Sequence, residues 1–151
     1  MNASAHATYR RAHGFTLIET LIAVGIAGVL SSIAYPRLEG HVLRARRTDA
    51  LVILMQAQLA QERYRADHRS YGSLAETGMP STSAAGYYAV AVVSTSEDGY
   101  DLLASASARQ ARDTHCRFLR LSSVGARLVY ASGRDDATSN GDDANRKCWS
   151  R

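Results

Sequence analysis

The sequence predicts an α+β domain in which one long N-terminal helix, apolar in its first half, packs on a four-stranded antiparallel sheet. Three observations predict it. Between Phe15 and Tyr35 the only charged side chain is Glu19. Helical spacing of apolar residues continues from there to about His68. After that, four short β-prone runs alternate with turn residues.

The 151 residues leave room for one domain and one long helix. Of 18 basic residues, Arg10 and Arg11 fall in the first fourteen positions, which hold no acid; the rest carries 16 basic and 14 acidic residues. So slight an excess does not favour nucleic acid as a partner. Cys116 and Cys148 lie in the C-terminal third. An even count beyond an apolar segment fits one disulfide formed in an oxidising compartment, the alternative being two unrelated buried thiols. A bridge would close a loop of about 33 residues, worth roughly 3.5 kcal/mol on a chain-entropy basis.

Residues 1–35 admit three descriptions. A secretory signal would show a small-residue cleavage site after the apolar stretch, but Ala34 is followed by Tyr-Pro-Arg and a helical run. An ordinary transmembrane helix needs about 20 apolar residues. Phe15 to Tyr35 is long enough, yet Glu19 lies inside it. A carboxylate costs roughly 2.5–3.5 kcal/mol at the centre of a bilayer and less near its edge, so it calls for a partner. A cut between Gly14 and Phe15 would place a new α-amino group one helical turn from Glu19.

The run Gly14-Phe15-Thr16-Leu17-Ile18-Glu19 followed by uncharged residues closely resembles the prepilin peptidase site of type IV pilins and related pseudopilins. The resemblance implies a short basic leader, residues 1–14, cut after Gly14 on the cytoplasmic side, and N-methylation of Phe15. It implies that residues 15–35 form a transmembrane and assembly helix in which Glu19 meets the amine of its own or a neighbouring subunit. Gly14 suits a protease because it lets the backbone approach closely, and Arg10 and Arg11 favour the cytoplasm.

From Pro36 the helix is expected to be amphipathic to residue 68, with Leu38, Val42, Ala45, Val52, Met55 and Leu59 as the stripe laid on the sheet. Pro36 removes one helix hydrogen bond and should kink it. In the pilins it resembles, the stretch between positions matching Gly28 and Pro36 loses helicity in the filament; alternatively, the glycines only permit close helix packing. Arg44, Arg46 and Arg47 are read as a solvated face or as partners for Glu39, Asp49 or another subunit's acid, with DNA contact as the other option.

A connecting loop over 69–86 holds the turn signals Ser70-Tyr71-Gly72 and Gly78-Met79-Pro80. Strands are expected at 87–94, 100–106, 117–122 and 127–130, with turns at Glu97-Asp98-Gly99 and Ser123-Val124-Gly125. Residues 87–151 then form a β-sheet with a disulfide-closed loop, 116–148. Cys116, Leu119, Leu121, Gly125 and Cys148-Trp149 resemble the ending of PilE-type minor pilins, the closest group. That resemblance implies a type IV pilin fold and a structural subunit, with roles in pilus assembly, twitching, adhesion or DNA uptake.

Catalysis finds little support: His41, His68 and His115 are scattered, and no phosphate loop, nucleophile elbow or zinc spacing occurs. No cofactor is expected. Asp135, Asp136, Asn140, Asp142, Asp143 and Asn145 form an oxygen-rich stretch, but an EF-hand starting at Asp136 would need Glu where Lys147 stands, so a flexible polar loop is expected. Two rival readings remain. One is a type II secretion pseudopilin, some of which bind calcium near the C-terminus. The other is a DNA-uptake pilin using Arg109, Arg112, Arg117, Arg120, Arg134, Arg146 and Arg151. The partners implied are other pilin subunits, prepilin peptidase, the inner-membrane assembly machinery and, before assembly, lipid. The implied location is the inner membrane of a Gram-negative cell, spanned once with the C-terminus in the periplasm, and then the surface pilus.

Overall fold

The computed structural model describes residues 14–125 and 127–150, with the backbone only at 35–37. Helix α1 runs from Leu17 to Asp67. The chain divides after Leu38 into two compact units, described separately below. In the first, the segment Leu17–Ala34 is long and apolar enough to cross a membrane. Its large apolar side chains, from Leu17 to Ile33, are exposed on every side of the helix. Helical backbone continues through Gly28 and Pro36. Melting between them would be a property of the filament.

The second unit joins the rest of α1 to four strands in the order β1-β2-β3-β4, every pair antiparallel. These are β1 (Tyr88–Thr95), β2 (Gly99–Ala106), β3 (Phe118–Val124) and β4 (Arg127–Gly133). Each lies within three residues of its expected bounds. The register pairs Val90 with Ala104, Leu102 with Leu121, and Leu121 with Tyr130, which puts alternate apolar residues on one face. Glycine is required at two of the predicted turns. A Cβ at Gly99 would stand 2.0 Å from the Ser123 carbonyl oxygen, and Gly125 has φ +57°.

One core forms between helix and sheet. Ala50, Ile53, Leu54 and Ala57 of α1 meet Tyr88, Val90, Tyr100, Leu102, Ala104, Leu119 and Leu121. Cys116, Cys148 and Trp149 extend this core. The Cys116–Cys148 disulfide, expected from the cysteine count, is formed, with Cα atoms 5.5 Å apart.

The expected sheet-facing stripe is corrected. Met55 is 55% exposed and Leu59 52%, and Val42, Ala45 and Val52 also face outward. Val52, Met55 and Leu59 lie about 140–200° around the axis from Ala50 at 100° per residue, on the opposite face. Both faces of this half of α1 carry apolar residues, so spacing alone does not select the one that packs. The face containing Ala50, Ile53, Leu54 and Ala57 is the one that packs, and Arg47 and Gln61 on the same side reach buried partners.

Two short elements were not expected: a 3-10 turn, Ala108–Arg112, and helix α2, Asp142–Cys148. The disulfide-closed loop 116–148 thus holds β3 and β4, as expected, and α2 as well. Acids at Asp142 and Asp143 and bases at Arg146 and Lys147 match the α2 dipole, but two turns without an apolar stripe give no periodic signal.

The two faces of α1 predict a contrast. Leu54→Ala, at a site with no solvent exposure, should cost about 2–5 kcal/mol in denaturant unfolding of the purified chain. Leu59→Ala should change the same transition by no more than about 0.5 kcal/mol.

Candidate functional site

At the start of α1 the chain presents backbone, a cap and one carboxylate in sequence. Gly14 is exposed, and a Cβ there would meet nothing within 4 Å. Phe15 is exposed as well. Thr16 Oγ1 accepts a hydrogen bond from the Glu19 amide at 3.3 Å, satisfying one of the first-turn N–H groups. Thr20 Oγ1 donates back to the Thr16 and Leu17 carbonyls at 3.2 and 2.9 Å. Glu19 sits in the first helical turn, where the dipole favours an acid. Farther along, Ser31 Oγ donates to Ala27 O and Ser32 Oγ to Val29 O, both at 2.7 Å. The hydroxyls of the apolar segment thus have backbone partners, as hydrocarbon requires.

The body is fastened to its own part of α1 by polar contacts that the sequence did not disclose. Arg47, 9% exposed, clasps Asp113 with Nε to Oδ2 at 2.6 Å and Nη2 to Oδ1 at 2.9 Å. Its Nη1 donates to the Lys147 carbonyl at 3.2 Å, so one guanidinium joins α1, the segment before β3 and α2. Gln110 Nε2 donates to Leu43 O at 3.1 Å and Tyr88 Oη at 3.0 Å. Burial pushes the Tyr88 phenol up to about 12, opposed by the Gln110 hydrogen bond and aided by the nearby Asp113 charge. Asp49 accepts from Ser83 Oγ and from the amides of Ala85 and Tyr87. Toward the end of α1, Gln61 exchanges two hydrogen bonds with the Gly72 backbone.

Arg47 is therefore neither on a solvated face nor a partner of Glu39 or Asp49, but pairs with Asp113. Its signal was an Arg three residues before Ala50, on the core-facing side of the helix. Arg46 stacks over the Tyr87 ring, 4.6 Å from its centroid, and Arg44 is exposed. Glu39 is paired within the chain, by Arg112 at 2.9 Å. Tyr71 packs the connecting loop, edge-on to Tyr100 and bonded to Glu62. His41, His68 and His115 are all exposed.

In the oxygen-rich stretch, the carboxamides point inward. Asn145 accepts from Ser132 Oγ at 2.8 Å and donates to Tyr130 O at 2.7 Å. Asn140 donates to His115 O and Ser132 Oγ. Trp149 Nε1 donates to Ala131 O at 2.9 Å. These contacts hold α2 against the edge of β4, which corrects the expectation of a flexible loop. Among the described residues, no three His, Cys, Asp or Glu side chains gather as a metal site would need.

Residues 36–120 match the family described as "Type IV minor pilin ComP, DNA uptake sequence receptor". Residues 9–35 match the "Prokaryotic N-terminal methylation motif". The chain is 36% identical over 102 residues to the type IV wide pilus major component PilA4 of Thermus thermophilus, covering 65% of this chain and 76% of that protein. It is 43% identical over 53 residues to a probable minor fimbrial protein of Dichelobacter nodosus, covering 35% of this chain and 33% of that one. It is also 33% identical over 72 residues to the type II secretion system core protein G of Pectobacterium carotovorum, covering 48% and 46%.

Removing one partner of the Arg47–Asp113 clasp leaves a buried charge uncompensated. Asp113→Ala should therefore destabilise the body by about 3–5 kcal/mol in denaturant unfolding followed by Trp149 fluorescence. The double substitution Arg47→Met, Asp113→Leu should recover most of that loss.

Proposed function

The chain belongs to the type IV pilin family and is a pilus subunit, and from that premise we propose that it is a minor subunit, cut between Gly14 and Phe15 and assembled through Glu19. The observation that carries the reading is the helix itself. Leu17–Ala34 is apolar on all sides, and beyond it Val42, Val52, Met55 and Leu59 continue an outward apolar face. Such a surface is covered by lipid while the subunit waits in the membrane and by like helices once it is built in. Moving it from lipid to a helix bundle changes little hydrophobic energy, so packing and polar pairing supply the specificity. Glu19 is the one acid in the segment, and a free Phe15 amine gives it a cation one turn away.

Prepilin peptidase and other pilin subunits are the partners of such a chain. The inner-membrane assembly machinery, a periplasmic C-terminus and a Gram-negative host belong to the proposal. So does the view that the protein is structural and performs no catalysis. The matches to a probable minor fimbrial protein and to a minor pilin family support a minor role. The match to PilA4, named as a major component, marks the alternative.

The match of residues 36–120 to a family described as a DNA uptake sequence receptor favours a second reading, in which the body contacts DNA. Of the arginines considered for it, Arg112, Arg120 and Arg146 pair with Glu39, Asp101 and Asp143, while Arg151 lies outside the described residues. Arg109 and Arg134 are exposed. Retardation of duplex DNA that weakens as salt rises would establish this role; no retardation at low salt would remove it. The secretion pseudopilin alternative rests on the resemblance to core protein G. Calcium titration would test it, with heat or thermal stabilisation as its signature.

The primary reading predicts that mass spectrometry of the native protein finds a chain starting at methylated Phe15. Glu19→Val should still be inserted and cut but yield few pili. A different first residue, or normal pilus numbers with Glu19→Val, would overturn the mechanism.

A further inference from the structure

We propose that the cations gathered at the start of the body form a collar that binds anionic phospholipid headgroups while the subunit waits in the membrane. Contacts within the second unit bring them together. Arg47 of α1 reaches both Asp113 and the Lys147 carbonyl, so the base of α1, the segment following the 3-10 turn and the end of α2 adjoin. Gln110 of the 3-10 turn donates to Leu43 O. Arg117 donates Nε and Nη2 to Ala111 O at 3.1 and 2.9 Å. Arg46 lies over Tyr87, whose carbonyl accepts from Ser107 just before that turn. Arg44, Arg109 and Lys147 are exposed, and Arg46 and Arg117 partly so.

The acids in the same region do not neutralise this group. Asp113 is buried against Arg47, Glu39 is taken by Arg112, and Asp143 by Arg146. Asp49 accepts from Ser83, Ala85 and Tyr87. Asp49 and Asp142, the latter at the far end of α2 from Lys147, keep their charges and stand against the five cations. Among the described residues, Arg44, Arg46, Arg109, Arg117 and Lys147 have no ion pair with a carboxylate.

Chain length and charge placement favour lipid over other anions. Arg44 lies ten residues after Ala34, the end of the apolar segment, so only a short stretch of chain separates it from the bilayer edge. Arg37, Arg44, Arg46 and Arg47 outnumber Arg10 and Arg11 on the other side, although basic residues on the translocated side oppose the orientation set by the leader. Each cation that comes within a Debye length, about 10 Å, of an anionic surface gains about fivefold in affinity. The collar would hold the body at the membrane surface until assembly lifts it away.

This inference rests on the reading of Leu17–Ala34 as a membrane span. The test places the full chain in nanodiscs of phosphatidylcholine alone or mixed with phosphatidylglycerol, and follows amide hydrogen exchange at residues 108–112. Slower exchange with phosphatidylglycerol, reversed near 1 M salt where the Debye length is about 3 Å, is expected. The gain should shrink about fivefold with Arg109→Ala and again with Lys147→Ala, both on exposed sites. Equal exchange in the two discs would overturn the collar. So would protection that tracks the number of subunits per disc, or protection given by duplex DNA but not by phosphatidylglycerol. A chain that fails to enter either disc would instead refute the span.

Discussion

A helix with apolar side chains on more faces than its own domain can cover is the constraint from which the rest follows. In the body, one side of α1 closes the core through Ala50, Ile53, Leu54 and Ala57. The opposite side carries Val52, Met55 and Leu59 into solvent, and before it the whole circumference of Leu17–Ala34 is apolar. One four-stranded sheet covers about one stripe of a helix and no more. What remains must be covered by lipid or by other chains. On the proposed reading, a lone carboxylate near the start of that surface would serve as an address, because among apolar neighbours it has few partners to choose from.

The body needs its own means of holding α1, since the apolar contact on the inner face is built partly from small residues. The Arg47–Asp113 clasp supplies one. It is nearly buried, bidentate, and extended by Lys147 O and by Gln110 to three separate parts of the chain. A pair of this kind adds little net energy but penalises any arrangement that breaks it. The disulfide and the inward-facing Asn145 and Trp149 fix α2 beside it. Together they leave the outer face of α1 as the surface still to be covered.

The long helix, four strands, two glycine-bearing turns and the disulfide were legible in the sequence, because each rests on local chemistry: periodicity, β-branching, special backbone angles and cysteine count. The face of α1 that packs was not legible. Leu38, Val42, Met55 and Leu59 satisfy helical spacing as well as Ile53 and Leu54 do, and only the sheet decides between them. Arg47 resembled its neighbours Arg44 and Arg46 because its partner lies 66 residues away. Helix α2 was hidden because Asn145, Asp142 and Asp143 read equally as oxygen ligands. At the N-terminus the Thr16-x-x-Glu19 spacing is a capping signature, and the Thr16 cap found there was legible in the sequence.

A cryo-electron microscopy map of the assembled filament tests the central claim most directly. The account predicts that Val52, Met55 and Leu59 are buried against neighbouring subunits and that Glu19 lies within hydrogen-bonding distance of a Phe15 amine. A filament in which that outer face of α1 remains in solvent would contradict it.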